Sequence, residues 1–418
     1  MKLAIFVDNF PVRSQTFVLN QITGLIDLGV DVTILSLNAS DKDIFNDDNL
    51  KSYGLAKRTI YLLNSSSVNS GKQHKLFKFF SRSFSVIKGL LVSNNRLAIL
   101  KALNVSRYGQ QAKSLLLASI VSKHAKSFSF DSILAHFGFN GVTANQLRDL
   151  GLLQGKVATI FHGHDISNVQ ALACRNKSYL LLFKQTELML PVSELWRSKL
   201  IEFGCPDNKI TVHRMGVDLA HFEFDIKLKT QEKAPLKIFT VARFAEKKGL
   251  EYAIKAMAIL KQEAKVTFHY TLAGFGELAN ELQQLVIDFN LSDQISFIGE
   301  INSAQVKTYM QNADVFLQPS VTAKSGDMEG VPVAIMEAMA MGTVVVSTFH
   351  SGIPELITHK KHGLLAKERD EQALAENITL LASNKVDAPT LVVNARKRIE
   401  QIGNIDQLNK DLIKLLQS

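Results

Sequence analysis

Short apolar runs bounded by turn residues alternate with amphipathic stretches along most of the chain, and they do so in two series. The first series predicts strands over 3–7, 30–37, 132–137, 157–161, 188–192 and 210–213, with a helix over 15–28 between the first two. The stretch 223–236 is polar, has no period and reads as a linker. The second series predicts strands over 237–242, 266–273, 295–298, 315–318 and 344–347, and helices over 250–263, 277–289, 303–312 and 332–341. Strands alternating with helices imply βαβ crossovers and parallel sheets. The chain is therefore expected to be α/β, with two doubly wound, Rossmann-like domains. Residues 1–222 form the first, 223–236 the linker and 237–384 the second, while 385–418 are helical, with the last helix expected to pack back on the first domain. Ligands of such sheets bind beyond the C-terminal strand ends, often between domains.

A length of 418 residues suits two or three domains. An apolar fraction of 46% and a charged fraction of 21% exclude a disordered or fibrous chain. Two cysteines, Cys174 and Cys205, cannot make a disulfide framework, which points to a reducing compartment, and both read as inert packing residues. No uncharged apolar run reaches the roughly 18 residues of a membrane span, and the opening is too short for a secretory leader. A cytoplasmic protein is expected.

Charge is unevenly placed. Of the net +9, all of the excess lies between residues 51 and 130, where fourteen Lys or Arg stand without one Asp or Glu. Such a segment points to an anionic partner, a membrane surface or nucleic acid. It carries no nucleic-acid recognition motif and few interleaved Tyr or Trp, so nucleic acid is not the expected partner. Over 75–91, Leu76, Phe79, Phe80, Phe84, Ile87, Leu90 and Leu91 share one face at helical spacing, with Phe77 and Val86 at its edges. Lys75, Lys78, Arg82 and Lys88 fall opposite, the pattern of an interfacial helix on an anionic membrane, or of a helix packed on its own domain with solvated bases.

The richest stretch is 327–342. Glu329 precedes a helix and Glu337 lies within it, among Val331, Val333, Ala334, Ile335, Met336, Ala338, Met339 and Ala340. A carboxylate inside a buried helix is costly unless it is bonded, either to nearby backbone or to a ligand such as a diol, whose two hydroxyl protons it accepts. Gly330, Val331, Pro332 and Val333 open this helix and form an anion site through their amides. Arg243 ends a strand, and Lys248 and Gly249 follow; such a pair either neutralises a pyrophosphate or is solvated. Gly274, Gly276 and Ala279 fit the dinucleotide fingerprint G-x-G-x-x-A, and Glu300 follows the next strand where a ribose-binding acid would sit. That supports a competing NAD-dependent oxidoreductase. It leaves Glu329, Glu337, Arg243 and Lys248 unexplained, and the fingerprint follows the second strand of its sheet. His162, His164 and Asp165 end a first-domain strand, and His136 ends the one before. With no fourth ligand at suitable spacing, they read as hydrogen-bonding groups, and no metal is expected. His359 and His362 sit among lysines and read as solvated.

Taken together, Arg243, Lys248-Gly249, Gly274-Phe-Gly276, Phe297-Ile-Gly-Glu300, Ala313 to Ser320, Glu329-Gly-Val-Pro and Glu337 to Gly342 resemble a family 4 glycosyltransferase of the two-domain GT-B fold. His162-Gly-His-Asp165 and Met215-Gly-Val-Asp218 add to the likeness. Residues 10–17 look like the subset that builds bacterial exopolysaccharides such as colanic acid or amylovoran, with Gln15 where the family usually has glutamate. The resemblance implies retaining transfer of a hexose from a UDP- or GDP-sugar, without metal or other cofactor, to a lipid-linked saccharide at the inner face of the cytoplasmic membrane. It implies that Arg243 and Lys248 neutralise the leaving diphosphate and that Glu337 takes the ribose hydroxyls. Glu329 stabilises charge at the anomeric carbon, His162 binds the far edge of the sugar, and Ser14 or its loop approaches the phosphate.

Overall fold

The computed structural model describes residues 1–13, 15–46, 48–63, 72–93, 95–225, 234–264 and 266–417. Ser14 and most of the expected linker, 226–233, lie outside the described residues, as do the side chains of 72–76. Two six-stranded sheets carry the fold. The first holds β1 (Lys2–Phe10), β2 (Asp31–Ala39), β3 (Thr59–Tyr61), β4 (Phe128–His136), β5 (Leu153–Phe161) and β6 (Leu188–Pro191) in the order β3-β2-β1-β4-β5-β6. The second holds β7 (Leu236–Val241), β8 (Phe268–Ala273), β9 (Ile295–Gly299), β10 (Val315–Gln318), β11 (Val344–Thr348) and β12 (Leu364–Ala366) in the order β12-β11-β10-β7-β8-β9. Every pairing is parallel.

The two orders are the same winding. In each sheet the first strand lies beside the fourth, so crossovers leave in opposite directions at β1/β4 and at β7/β10. That switch point opens a crevice at the C-terminal strand ends. The strands are continuous apolar runs because helices cover both sheet faces: Leu3 to Val7 of β1 and all of β10 and β11 are buried. The largest apolar cluster spans both sheets, from Ile5 and Phe161 to Phe316, Ile335 and Met339.

Several expectations shift at element ends. Residues 210–213 do not form a strand: Ile210 makes a lone bridge to Met189, and the amides of Thr211 and His213 bond Met189 O and Pro191 O. Two apolar residues cannot sustain a ladder, and the His213 ring turns inward to Gln21, 3.2 Å away. Edge strands β3 and β12 have three residues each, too short to display a period. The final helical stretch breaks into Ala388–Ile402 and Ile405–Gln417, interrupted where Asn404 bridges Val217. The last helix packs on the first domain, with Leu412 and Leu416 buried and Leu416 O accepting from Ser132 Oγ at 2.9 Å.

The basic segment supplies β3 and a helical layer that covers the first sheet, including Lys72–Val92, Arg96–Ala102, Val105–Lys113 and Leu116–Lys123. In the helix Lys72–Val92 the expected faces are rotated. Val86 and Gly89 pack inward, and Arg82, expected among solvated bases, reaches Ser114 O at 2.9 Å. Phe77, Phe80, Phe84, Ile87 and Leu91 form an outward stripe, each 59–71% exposed. Leu97 and Leu100 of the next helix are exposed as well. The helix crosses from packed to exposed without burying its aromatic face, so the reading of an apolar face packed on its own domain fails. Among the described residues no helix is long and apolar enough to cross a membrane.

Two glycines bind the second sheet's loops together. Gly249 (φ +65°) and Gly274 (φ +130°) lie where a Cβ would overlap Pro319 O and Ala242 O respectively. Gly274→Ala should therefore destabilise by about 2 kcal/mol or more and lower Tm by roughly 4–8 °C. Gly151→Ala, at φ +77° with open space around it, should cost only about 1 kcal/mol. Thermal melts of the two variants check the difference.

Candidate functional site

The β7/β10 switch point carries a charged cluster. After β7 the chain passes Arg243 and a single turn, Glu246–Lys248, before Gly249 starts the helix Leu250–Glu263. After β10 it runs from Pro319 to Pro332, which caps the helix Val333–Met341. Backbone and side chain lace these loops: Val321 N donates to Lys247 O (2.9 Å) and Lys324 N to Glu246 Oε1 (3.0 Å). Lys247 Nζ thereby stands 3.3 Å from Asp327 Oδ1, and Lys248 Nζ 3.0 Å from Glu329 Oε1.

Glu329 is buried. Burial alone would raise its carboxyl, but Lys248, then Lys247, outweigh it and hold the group below the usual carboxylate range. Its backbone is fixed as well. Glu329 N donates to His350 Nε2 (3.1 Å), and Ser351 Oγ donates to Glu329 O (2.6 Å). The His350 Nδ1 lies 2.6 Å from Glu368 Oε1, and Glu368 also accepts from Thr322 N and Oγ1. A carboxylate on Nδ1 fixes the tautomer that leaves Nε2 as the acceptor for the Glu329 amide.

Glu337 is in the opposite state. Val333, Ala334 and Glu337 form the one half-buried face of an otherwise buried helix. Burial pushes its carboxyl up to about 7, and no cation offsets it. At the start of the same helix Pro332 has no amide hydrogen, so the expected four-amide cradle reduces to Gly330, Val331 and Val333. The first helical amides have no intrahelical acceptor and remain free to donate.

The first domain meets this loop along bare backbone. Gly163 (φ +105°) lies where a Cβ would come within 2.8 Å of Glu329 O and Gly330 N, and a Cβ on Gly330 would overlap His162 O. His164 Nδ1 reaches Asp327 Oδ1 (3.0 Å), Met328 N donates to Ser167 Oγ (3.0 Å), and Val169 N donates to Ser325 O (3.1 Å). His162, half-buried beside this seam, packs against Phe17 and Phe137, with ring centroids 4.8 and 4.6 Å away. Its Nε2 lies 3.1 Å from His136 Nδ1. Burial drives His136 to about 3, His213 to about 4 and His162 well down, so all three rings are neutral.

The structure thus brings Lys248, Glu329, Gly330 and His162 to one seam, with Glu337 on the helix that follows. Arg243 is exposed after β7 and makes no ion pair among the described residues. Other expectations change. Gly274 N donates to Gly299 O (2.7 Å), and a Cβ on Gly276 would lie 2.7 Å from Phe244 N, so both glycines serve loop-on-loop packing. They follow β8, not the strand that opens the sheet, and the dinucleotide fingerprint loses its basis. Glu300 is exposed beyond the edge strand β9, two strands from the switch point. Both Asp165 oxygens accept backbone amides, from Gly138 (2.7 Å) and His162 (3.0 Å), so it is a loop anchor. His359 and His362 are not merely solvated, since their Nδ1 atoms accept from Leu365 N and Thr358 N. Cys174 is exposed, so only Cys205 is a packing residue. His350, Glu368, Ser351 and Thr322 went unnoticed in the sequence, because β12, which delivers Glu368, is too short to register.

Two doubly wound domains that face each other with their strand ends toward one seam define the GT-B architecture, and the chain is an α/β protein of that fold. The sequence profile described as Glycosyl transferases group 1 matches residues 222–406. Over 417 residues, 100% of this chain and 99% of the relative, the chain is 43% identical to the amylovoran biosynthesis glycosyltransferase AmsK of Erwinia amylovora. It is 42% identical to the putative colanic acid biosynthesis glycosyltransferase WcaL of Escherichia coli, with both chains covered in full. The crystal structure of Anabaena HepE in complex with UDP and glucose superposes with a TM-score of 0.70 at 17% identity, covering 100% of this chain and 99% of that one. The chain belongs to the group 1 glycosyl transferases and is a glycosyltransferase.

The state of Glu337 gives a pH signature. Its folded value of about 7 exceeds an ordinary value of 4.5. The folded chain therefore holds a proton in that window that the unfolded chain has lost. The stability from that proton is full below about 4.5 and is lost as pH rises through about 7. Glu337→Gln should melt above the parent at pH 8, with the difference closing by pH 4.5, as read from thermal melts across that range.

Proposed function

We propose that the chain transfers a hexose from a nucleotide diphosphate sugar, with retention, to a lipid-linked saccharide acceptor in the assembly of a bacterial exopolysaccharide. The observation that carries this is the Lys248–Glu329 pair at the switch point, followed one helix-start later by the uncompensated Glu337. Departure of a diphosphate needs fixed positive charge at the strand ends, and Lys248 with Arg243 supplies it. Glu337 accepts both ribose hydroxyls, which gives a stranded carboxylate its missing partners. Glu329 faces the sugar and stabilises positive charge at the anomeric carbon, while the Val331 and Val333 amides and His162 bind its oxygens. The bond from the anomeric carbon to the phosphate oxygen breaks, the bond to the acceptor oxygen forms on the same face, and the acceptor's proton passes to the leaving phosphate. No metal takes part in this scheme. UDP-hexose is favoured over GDP-mannose, since a structure of the same fold holds UDP and glucose.

The two glutamates separate kinetically under this reading. Glu337→Gln should weaken binding of free UDP or GDP together with turnover. Glu329→Gln should lower kcat with little change in nucleotide affinity, because its partner charge appears in the transition state. Calorimetric titration and steady-state kinetics check both. Parental nucleotide affinity in Glu337→Gln would remove the ribose assignment.

The acceptor reading extends to the surface. The outward stripe Phe77, Phe80, Phe84, Ile87 and Leu91 lies in the acid-free segment, with exposed Lys88 beside it. Apolar side chains that enter the acyl boundary, flanked by bases worth on the order of 1 kcal/mol each at an anionic leaflet, dock a protein peripherally on the inner membrane face. Phe77→Ser, Phe80→Ser and Phe84→Ser combined should abolish co-sedimentation with anionic vesicles and leave donor hydrolysis intact. Unchanged sedimentation would overturn the docking surface.

A further inference from the structure

We infer that His136, which lies behind the site and touches no substrate, fixes the tautomer of His162 and makes it a hydrogen-bond donor toward the seam. The proposal rests on His162 facing the sugar in the reading above, but its first test does not.

The two rings meet edge to edge with their planes 12° apart and centroids 5.3 Å apart, and His136 Nδ1 lies 3.1 Å from His162 Nε2. A neutral imidazole has one donor and one acceptor nitrogen, so one ring donates across this contact and the other accepts. The other nitrogen of His136 decides which. His136 is fully buried, and its Nε2 has no partner among the described residues. If His162 donated, His136 would carry its proton on Nε2, leaving a buried N–H without an acceptor. If His136 donates from Nδ1, its Nε2 is a bare lone pair, and an unsatisfied buried acceptor is tolerated better than an orphaned N–H. A doubly protonated His136 would add a charge beside neutral His162 with no carboxylate to pair it.

With His136 donating, His162 Nε2 is the acceptor and its proton resides on Nδ1. That nitrogen makes no protein hydrogen bond among the described residues, and the ring is half-buried at the seam. Phe17 and Phe137 pack on the ring. His162 therefore presents a fixed N–H, and the substrate atom it recognises is an oxygen with a free lone pair, a sugar hydroxyl or a phosphate oxygen. His136 is a positioning residue: it acts through His162 and contacts no reacting atom.

The direct test is the ring nitrogen spectrum of the ¹⁵N-histidine-labelled full chain without ligand. His162 should show a protonated Nδ1 and a bare Nε2; a protonated Nε2 would overturn the proposal whatever the enzyme's substrate. Replacement gives a second test. In His136→Asn the side-chain N–H occupies the place of Nδ1 and still donates, so the His162 spectrum and kcat with UDP-hexose should stay within about twofold of the parent. His136→Leu cannot donate, so His162 should shift toward the Nε2–H form and kcat should fall about tenfold, the effect of one neutral hydrogen bond. Equal losses in both variants, or parental kcat in both, would overturn it. If His136→Leu does not fold, the parent spectrum and the Asn variant still decide. Absence of transfer from any UDP- or GDP-sugar by the parent would instead count against the proposed function and leave the spectral result standing.

Discussion

Everything in the site depends on two backbones passing where no side chain fits. Gly163 of one domain and Gly330 of the other meet at a distance that a single Cβ on either would prevent. Because they meet, the carbonyl end of β5 delivers His162 beside the loop that carries Glu329. The seam is held by short polar contacts around the glycines, Ser167 to Met328, Val169 to Ser325 and His164 to Asp327. Sheet topology puts both loops at strand ends, and the glycines let the ends touch.

On the second domain, two carboxylates eight residues apart solve the same desolvation problem in opposite ways. Glu329 is buried against Lys248 and stays ionised, with its backbone pinned through His350 to Glu368. Glu337 is half-buried with no cation, and its carboxyl is pushed up to about 7. The first arrangement is complete in the free protein. The second is an expense that folding tolerates without any protein cation to offset it. Helix phase creates the contrast: Glu329 lies in the loop where the β7 lysines reach, whereas Glu337 lies more than a turn into the helix, beyond them.

Legibility followed the physics of each signal. Parallel strands buried on both faces are unbroken apolar runs, so β7, β8, β10 and β11 were readable to within two residues at either end. The helices Leu250–Glu263 and Ser303–Asn312 were readable at both ends. The three-residue edge strands β3 and β12 have no period to read. The Lys248–Glu329 juxtaposition was legible as motif, since both fall at strand ends, but the His350–Glu368 support was not, because it depends on β12. In the helix Lys72–Val92 amphipathicity was evident, but periodicity could not say which face is inward. Gly89 against Ser122 and Arg82 on Ser114 set that, and both are tertiary facts. The dinucleotide fingerprint misled for a related reason: Gly274 and Gly276 are needed for close backbone approach, and the sequence does not reveal that the approaching chain is the protein's own.

The chain crosses between the domains twice, and the two crossings are bonded to each other. Val217 N donates to Gly403 O at 2.8 Å, Ile405 N to Val217 O at 3.3 Å, and Gly216 leaves room for Ile405. A single tether would leave one domain free to swivel about several axes. The isolated parallel bridge between the two crossings resists this, since twisting about the tether and sliding along it both strain the paired bonds. Parting the Gly163 edge from the Gly330 edge would break the polar contacts around the two glycines together with those that Glu355 makes to the Glu194 and Leu195 amides and to Arg214.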